Sequence, residues 1–89
     1  MMRVTRPMLD IVVKRLNEAT GMPLTPYVGH EPQAGNFHLE SAYGQVSLHR
    51  MSTVGTGSSD VFAGYFTNRE LFLQIHALLR GIQFAKEGV

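Results

Sequence analysis

The sequence predicts an α+β domain in which a helix is followed by a three-stranded antiparallel sheet and then by a second helix. Three observations lead to this prediction. Apolar residues recur at helical spacing near both ends of the chain, polar and apolar residues alternate in its middle, and a Tyr-Gly pair separates two alternating runs. Because 89 residues can build one modest core, we expect residues 1–89 to form a single domain.

The first helix is predicted over about residues 7–19. Thr5 stands at the expected N-cap, and Pro7 fits the first turn, where its missing N–H breaks no hydrogen bond. Gly21 follows as a C-terminal stop. The apolar residues at 3.6-residue spacing are Leu9, Val12, Val13 and Leu16.

Residues 22–35 are predicted to form a long loop, because prolines and glycines recur too closely for a helix or a central strand. The simpler interpretation is a connection that Tyr27 and Val28 attach to the core. Loops of this length in compact domains are often functional. The alternative interpretation is therefore a small ligand held between this loop and the sheet.

A β-hairpin is predicted in the middle of the chain. If Tyr43 and Gly44 are the two central residues of its turn, counting outward sets His38 opposite His49. The two strands are predicted over about residues 36–41 and 45–51.

A short third strand is predicted at about residues 59–63, after a Gly- and Ser-rich connection. The second helix is predicted over about residues 68–86. A capping box marks its start, because the side chains of Thr67 and Glu70 can each accept a hydrogen bond from the other's backbone N–H.

The second helix is apolar on two faces, so it has two surfaces to cover. One face is expected to pack on the sheet, and it carries Leu71, Ile75, Leu78, Leu79 and Ile82. The other face would meet either the first helix or a second copy of the chain, and we assign it to self-association in a homodimer. Its residues are Leu73, Ala77, Gly81 and Phe84.

Composition excludes several classes of function. The chain has no cysteine, which rules out disulfides, thiolate-bound zinc and thiol redox chemistry. No apolar run approaches the length of a membrane span, so we expect no membrane contact and a cytoplasmic location. The net charge of +1 is far from the strongly positive charge typical of nucleic-acid-binding domains.

The N-terminal end is nevertheless locally basic, and a nucleic-acid-binding helix is an alternative interpretation of it. Its basic residues are Arg3, Arg6, Lys14 and Arg15. The order of elements is that of double-stranded RNA-binding domains, but those domains begin the second helix with lysines. Residues 67–70 here read Thr-Asn-Arg-Glu, so the shared order is an analogy alone.

A metal site is a further alternative, although the sequence favours no bound metal and no cofactor. In the register above, His38, Glu40 and His49 point the same way, and two imidazoles with a carboxylate can hold a divalent ion. Histidines on a solvent-facing strand are also ordinary polar residues.

The sequence contains no recognisable catalytic cluster. Ser58, Ser59 and Asp60 lie beside a glycine-rich loop, but no base is identifiable near them. The same loop lacks the lysine and the following helix of a phosphate cradle. We therefore expect a protein that is not an enzyme.

Several segments resemble a group of small proteins encoded by tailed bacteriophages and prophages. They are Ala42–Met51, the Gly/Ser stretch behind it, Arg69–Leu71 and Arg80–Ile82. The resemblance spans roughly residues 36 to 82. It implies a phage accessory protein acting in the cytoplasm of a bacterial host, and it implies no mechanism.

These observations together predict a protein that binds a host or phage macromolecule, most simply another protein. Aromatic and arginine side chains dominate such interfaces, and the residues chosen for this role are Tyr43, Arg50 and Tyr65. The plainer interpretation is that Tyr43 only covers the turn and that Arg50 pairs with a nearby carboxylate.

Overall fold

The computed structural model describes residues 3–55 and 57–88 and has the predicted α+β architecture. The elements are α1 (Arg6–Thr20), β1 (Tyr27–Val28), β2 (Glu31–Pro32), β3 (Phe37–Ala42), β4 (Gln45–Met51), β5 (Ser58–Asp60) and α2 (Asn68–Lys86). Strands β3, β4 and β5 form an antiparallel sheet in that order, and β1 and β2 form a separate two-stranded ribbon. The single-domain prediction also includes Met1, Met2, Thr56 and Val89, which lie outside the described residues.

Helix α1 begins and ends as its sequence predicts. The Thr5 hydroxyl accepts a hydrogen bond from a backbone N–H of the first turn. At the other end Gly21 has a φ of 69°, in the left-handed region that glycine adopts without strain. The N–H groups of Gly21 and Met22 then reach back to the carbonyls of Glu18 and Asn17, which closes the helix.

The hairpin has the predicted register. Tyr43 and Gly44 form its turn with φ angles of 54° and 74°, and a two-residue type I′ turn requires positive φ at both positions. His38 consequently lies opposite His49. The side chains at alternate positions of β3 and β4 therefore divide between a face toward the helices and a polar face.

The third strand is shorter than predicted, because β5 ends at Asp60 instead of running to about residue 63. The Asp60 carboxylate accepts a hydrogen bond from the Gly64 N–H at 3.2 Å, which stabilises a bend in place of further strand. Beyond the bend, Phe66 exchanges two backbone hydrogen bonds with β4.

The segment between α1 and β3 is held differently from the prediction. Tyr27 and Val28 do not attach it to the core, because both are exposed in the ribbon. Met22 packs against the core instead, and the Asn36 side-chain amide donates to the Pro23 carbonyl at 2.7 Å. Both contacts lie at the two ends of the segment, so the ribbon between them projects from the domain.

The core lies between the helices and one face of the sheet. Its fully buried apolar side chains are Leu9, Leu16, Leu48, Leu71 and Ile75. The two helices run in the same direction. The Asn68 amide at the start of α2 donates to the Val4 carbonyl just before α1, and the Lys86 ammonium at the end of α2 donates to the Ala19 carbonyl near the end of α1.

The start of α2 is expected to stabilise the fold in a pH-dependent way. The Glu70 carboxylate accepts the Thr67 N–H at 2.9 Å, and this hydrogen bond is the main cause that lowers the pKa of Glu70 from its ordinary 4.5. A carboxyl group whose pKa is lower in the folded state stabilises fully above its unfolded-state pKa, and that stabilisation is lost as the pH falls through the folded-state pKa. We expect Glu70→Ala to lower the melting temperature at about pH 7 and the deficit to shrink near pH 3.

Glu31→Ala is the matched control, since it removes an exposed carboxylate that does not cap a helix. Melting curves of both variants and the unmodified chain at the two pH values test the prediction. A deficit for Glu70→Ala that is the same at both pH values would contradict it.

Candidate functional site

The turn between β3 and β4 presents an aromatic side chain entirely to solvent. Tyr43 is 101% exposed, more than any other large hydrophobic residue described. Among the described residues it is also the one non-glycine residue with a positive φ. A left-handed conformation costs such a residue roughly 1–2 kcal/mol, and hairpin turns prefer asparagine or glycine there. The stability of the hairpin therefore does not explain a tyrosine at this position.

Tyr65 lies at the same end of the sheet as Tyr43. It directly precedes Phe66, whose backbone pairs with Val46 just after the turn. Tyr65 is 42% exposed, so part of its ring is available to a partner. The structure thus brings two of the three predicted partner-binding residues to one end of the molecule.

Arg50 lies at the opposite end of β4, about 17 Å along the strand from the turn. Its guanidinium donates to the Gly35 carbonyl at 3.3 Å and lies 5.2 Å from the centre of the Phe37 ring. The partners of Arg50 are thus a carbonyl and an aromatic ring, in place of the carboxylate expected from the sequence. We conclude that Arg50 fastens the start of β3 to β4 and stands apart from Tyr43.

The polar face of the hairpin brings together the three residues of the alternative metal site. The rings of His38 and His49 have centroids 6.0 Å apart, and His38 Nε2 lies 3.3 Å from Glu40 Oε1. One donor atom from each of the three side chains lies within 4.8 Å of the other two. Their convergence follows from the turn at Tyr43-Gly44, which fixes the register.

The outward face of α2 is exposed along its length, as self-association would require. Leu73 and Phe84 are 53% and 48% exposed, and the smaller Ala77 and Gly81 between them are exposed as well. The Arg80 guanidinium lies 5.6 Å from the centre of the Phe84 ring, so an intramolecular contact covers part of this stripe. Neither α1 nor the sheet covers Leu73.

The four basic residues near the N-terminus do not form one surface. The Arg6 guanidinium is 3.3 Å from the Asp10 carboxylate and donates to the Ser41 hydroxyl at 2.8 Å. Lys14 lines the same depression as Arg6, whereas Arg15 lines a groove against α2. Arg3 precedes the helix. A single phosphate-binding face along α1 is therefore not what the structure presents.

The groove between α1 and α2 brings together basic residues that lie far apart in the sequence. It encloses about 360 Å³, and Leu79 and Ile82 contribute apolar surface to it. Its basic and titratable lining residues are Arg15, His76, Arg80 and Lys86. Among the residues described around it, no carboxylate lines the groove. Sequence spacing within either helix alone does not reveal this set, because it depends on the parallel packing of the two helices.

The space between the 22–35 segment and the sheet is small. Leu24 contributes to a depression of about 240 Å³ that Asn17, Phe37 and Leu39 also line. Ligand pockets usually measure about 300–1,000 Å³ and bury most of the ligand. The structure therefore offers only a shallow site for a small ligand between this segment and the sheet.

Comparison of the chain with protein-family models, with curated proteins and with solved structures found no match. Neither helix in residues 3–55 and 57–88 has the length and apolar character needed to cross a bilayer.

Proposed function

We propose that this chain is a non-enzymatic binding protein that docks the β3–β4 turn, with Tyr43 at its centre, against another protein. The observation that carries the proposal is the fully exposed Tyr43 side chain on a backbone of positive φ. Residues held in an energetically unfavourable backbone conformation cluster at functional sites. At Tyr43 this unfavourable conformation accompanies an aromatic side chain that is fully exposed to solvent.

Tyrosine suits an interface anchor for two physical reasons. Its ring supplies a large contact area while few rotatable bonds are frozen, and its hydroxyl can hydrogen-bond to the partner. Tyr65 at the same end of the sheet would contribute a second ring at the edge of the contact. We further propose, from the sequence resemblance to small phage proteins alone, that the partner is a host or phage protein met in the bacterial cytoplasm.

The test separates binding from stability by changing Tyr43 to asparagine. Asparagine tolerates positive φ, so Tyr43→Asn is expected to raise the free energy of unfolding by about 0.5–1 kcal/mol while it removes the proposed anchor. Tagged protein would be used for affinity capture from nuclease-treated bacterial lysate, alongside a urea unfolding curve. The same change at another exposed tyrosine, Tyr27→Asn, is the matched control.

A protein captured by the unmodified chain and by Tyr27→Asn, but lost with Tyr43→Asn, would support the proposal. Capture that is unaffected by Tyr43→Asn would contradict it. The proposal would also fail if Tyr43→Asn destabilised the fold, since tyrosine would then be at the turn for stability.

The groove between α1 and α2 favours a second candidate function, which is the binding of a phosphate-bearing ligand such as nucleic acid. Arg15, Arg80 and Lys86 meet there without a carboxylate among the described lining residues. Binding of nucleic acid through such contacts weakens steeply as the salt concentration rises. Binding releases counterions from the nucleic acid, and this release is less favourable at higher salt. We expect Arg15→Ala to weaken retardation of RNA or DNA at low salt by about tenfold, and Lys14→Ala outside the groove to change it little.

If Arg15→Ala and Lys14→Ala weakened retardation equally, nucleic acid would contact the basic residues of α1 in general, and this result would contradict the groove as the site. The absence of retardation at low salt would exclude nucleic acid altogether. Capture of a protein that depends on Tyr43, with no effect of Arg15→Ala on retardation of nucleic acid, would favour the protein-binding function.

A further inference from the structure

We propose that His38, Glu40 and His49 bind one divalent first-row transition-metal ion, such as Zn²⁺, on the polar face of the hairpin. Two imidazole nitrogens and one carboxylate oxygen are donors that such ions accept, whereas Mg²⁺ and Ca²⁺ prefer oxygen ligands throughout. Three protein donors leave at least one coordination position for water or for a ligand. The inference is independent of the protein-binding function.

The distances between the donor atoms are close to those of a coordinated ion. Donors about 2.1 Å from zinc lie about 3.4 Å apart in a tetrahedral site. His38 Nε2 and Glu40 Oε1 are already 3.3 Å apart. The widest separation in the set is 4.8 Å, which must shrink by about 1.4 Å. Side-chain rotation can supply this change, since the strand register already opposes the two histidines.

The imidazole rings are partly held in place by their surroundings. The His38 side chain is only 15% exposed, so a bound ion would freeze little additional motion of this ring. Its Nδ1 atom is buried without a hydrogen-bond partner, while Nε2 faces Glu40. With Nε2 on a metal, Nδ1 would lack the second hydrogen bond that metal-bound histidines usually make, so the burial of the ring and its contact with Glu40 are what orient His38.

His49 has a neighbour suited to an outer-shell hydrogen bond. Its Nδ1 lies 3.5 Å from the Ser58 hydroxyl on β5. Metal-bound histidines almost always donate their second ring N–H to an acceptor, usually a carboxylate, a backbone carbonyl or water, which orients the ring and leaves the other nitrogen for the metal. The Ser58 hydroxyl oxygen is the acceptor within reach of Nδ1 here. Ser58 can therefore position Nε2 of His49 toward the cluster.

The charge on this face also favours a cation. Asp60 pairs with His49 across the sheet, so its carboxylate adds to that of Glu40 on the polar face. Arg50, the basic residue of the described strands, lies over the Phe37 ring on the other face. His38 also lines the depression that holds Arg6, Asp10 and Lys14. Arg6 is paired with Asp10 there, so Lys14 offsets only part of the negative charge that Glu40 and Asp60 offer to a divalent ion.

Calorimetric titration of the full chain with ZnCl₂ and, in parallel, with MgCl₂ tests the proposal. We expect about one zinc ion per chain and no magnesium binding. His49→Gln and Glu40→Gln should each weaken zinc binding at least about tenfold, since each removes a ligand. His30→Gln is the matched control, because His30 is exposed in the ribbon turn and lies outside the cluster; it should change the affinity less than about twofold.

Two further readouts keep the result unambiguous. Circular dichroism should show that His49→Gln and Glu40→Gln remain folded, and zinc should shift the imidazole resonances of His38 and His49 but not those of His30 and His76. The proposal would be overturned by an absence of zinc binding. It would also be overturned if His30→Gln weakened binding as much as His49→Gln, because zinc would then bind surface histidines without selection.

Discussion

Asn17→Ala is expected to lower the free energy of unfolding by about 3 kcal/mol, although it changes no apolar contact of the core. The Asn17 side chain is 1% exposed and forms two hydrogen bonds with the backbone of Phe37. Its amide donates to the Phe37 carbonyl at 2.9 Å, and its oxygen accepts the Phe37 N–H at 2.8 Å. The side chain therefore fastens α1 to the first residue of β3.

The size of the effect follows from what the substitution leaves behind. Each buried polar group that loses its partner costs about 1–3 kcal/mol, and alanine would leave two such groups on Phe37. Alanine returns only about 0.6 kcal/mol through its better helix propensity. A domain with a total stability of about 5–15 kcal/mol would lose a large fraction of it.

Thermal and urea unfolding measure this effect, and we expect the melting temperature to fall by more than about 10 °C. Asn68→Ala is the matched control, since the Asn68 amide makes a single hydrogen bond, 3.2 Å long, to the Val4 carbonyl and is only partly buried. It should cost about 1 kcal/mol. Equal losses of unfolding free energy for the two variants would contradict the prediction, because the two buried hydrogen bonds of Asn17 would then stabilise no more than the single one of Asn68.

Asn17 illustrates what the sequence leaves undetermined about the fold. Local signals such as the turn at Tyr43-Gly44 and the capping box at Thr67 act between neighbouring residues, and both predictions are confirmed. The hydrogen bonds of Asn17 join residues 20 positions apart, and an asparagine near the end of a helix gives no sign of a distant partner. Long-range polar contacts of this kind become visible only in the folded chain.

The third strand shows the limit of reading alternation alone. Val61 and Phe62 are apolar and predict strand, yet the Asp60 carboxylate bends the chain at Gly64. A short polar side chain that bonds a backbone group nearby can thus outcompete strand pairing. Strand β5 therefore consists of Ser58, Ser59 and Asp60 and ends before the apolar Val61 and Phe62.

The candidate sites divide in the same way between local and distant information. The convergence of His38 with His49 follows from the turn and could be predicted from the sequence. The grouping of Arg15 with Arg80 depends on two helices that are far apart in sequence and pack in parallel, which no spacing rule predicts. The position of Arg50 over the Phe37 ring likewise depends on the path of the segment before β3.

Leu71→Ala and Leu73→Ala are expected to differ by about 3 kcal/mol in their effect on stability, although both shorten a leucine in the same helix. Leu71 is fully buried, whereas Leu73 is 53% exposed. Truncation of a buried leucine costs about 2.7–5 kcal/mol, because apolar surface is lost from the core and a cavity remains. Truncation at the exposed position should cost the monomer, measured at low protein concentration, less than about 0.5 kcal/mol.

The same pair of variants also tests the proposed self-association through the outward face of α2. Because an interface stabilises the folded chain by mass action, a homodimer that buries Leu73 would melt at a higher temperature as the protein concentration rises. We expect this dependence in the unmodified chain and its loss in Leu73→Ala, measured together with sedimentation equilibrium. A monomer at all concentrations would contradict self-association and leave Leu73, like Tyr43, available to a different partner.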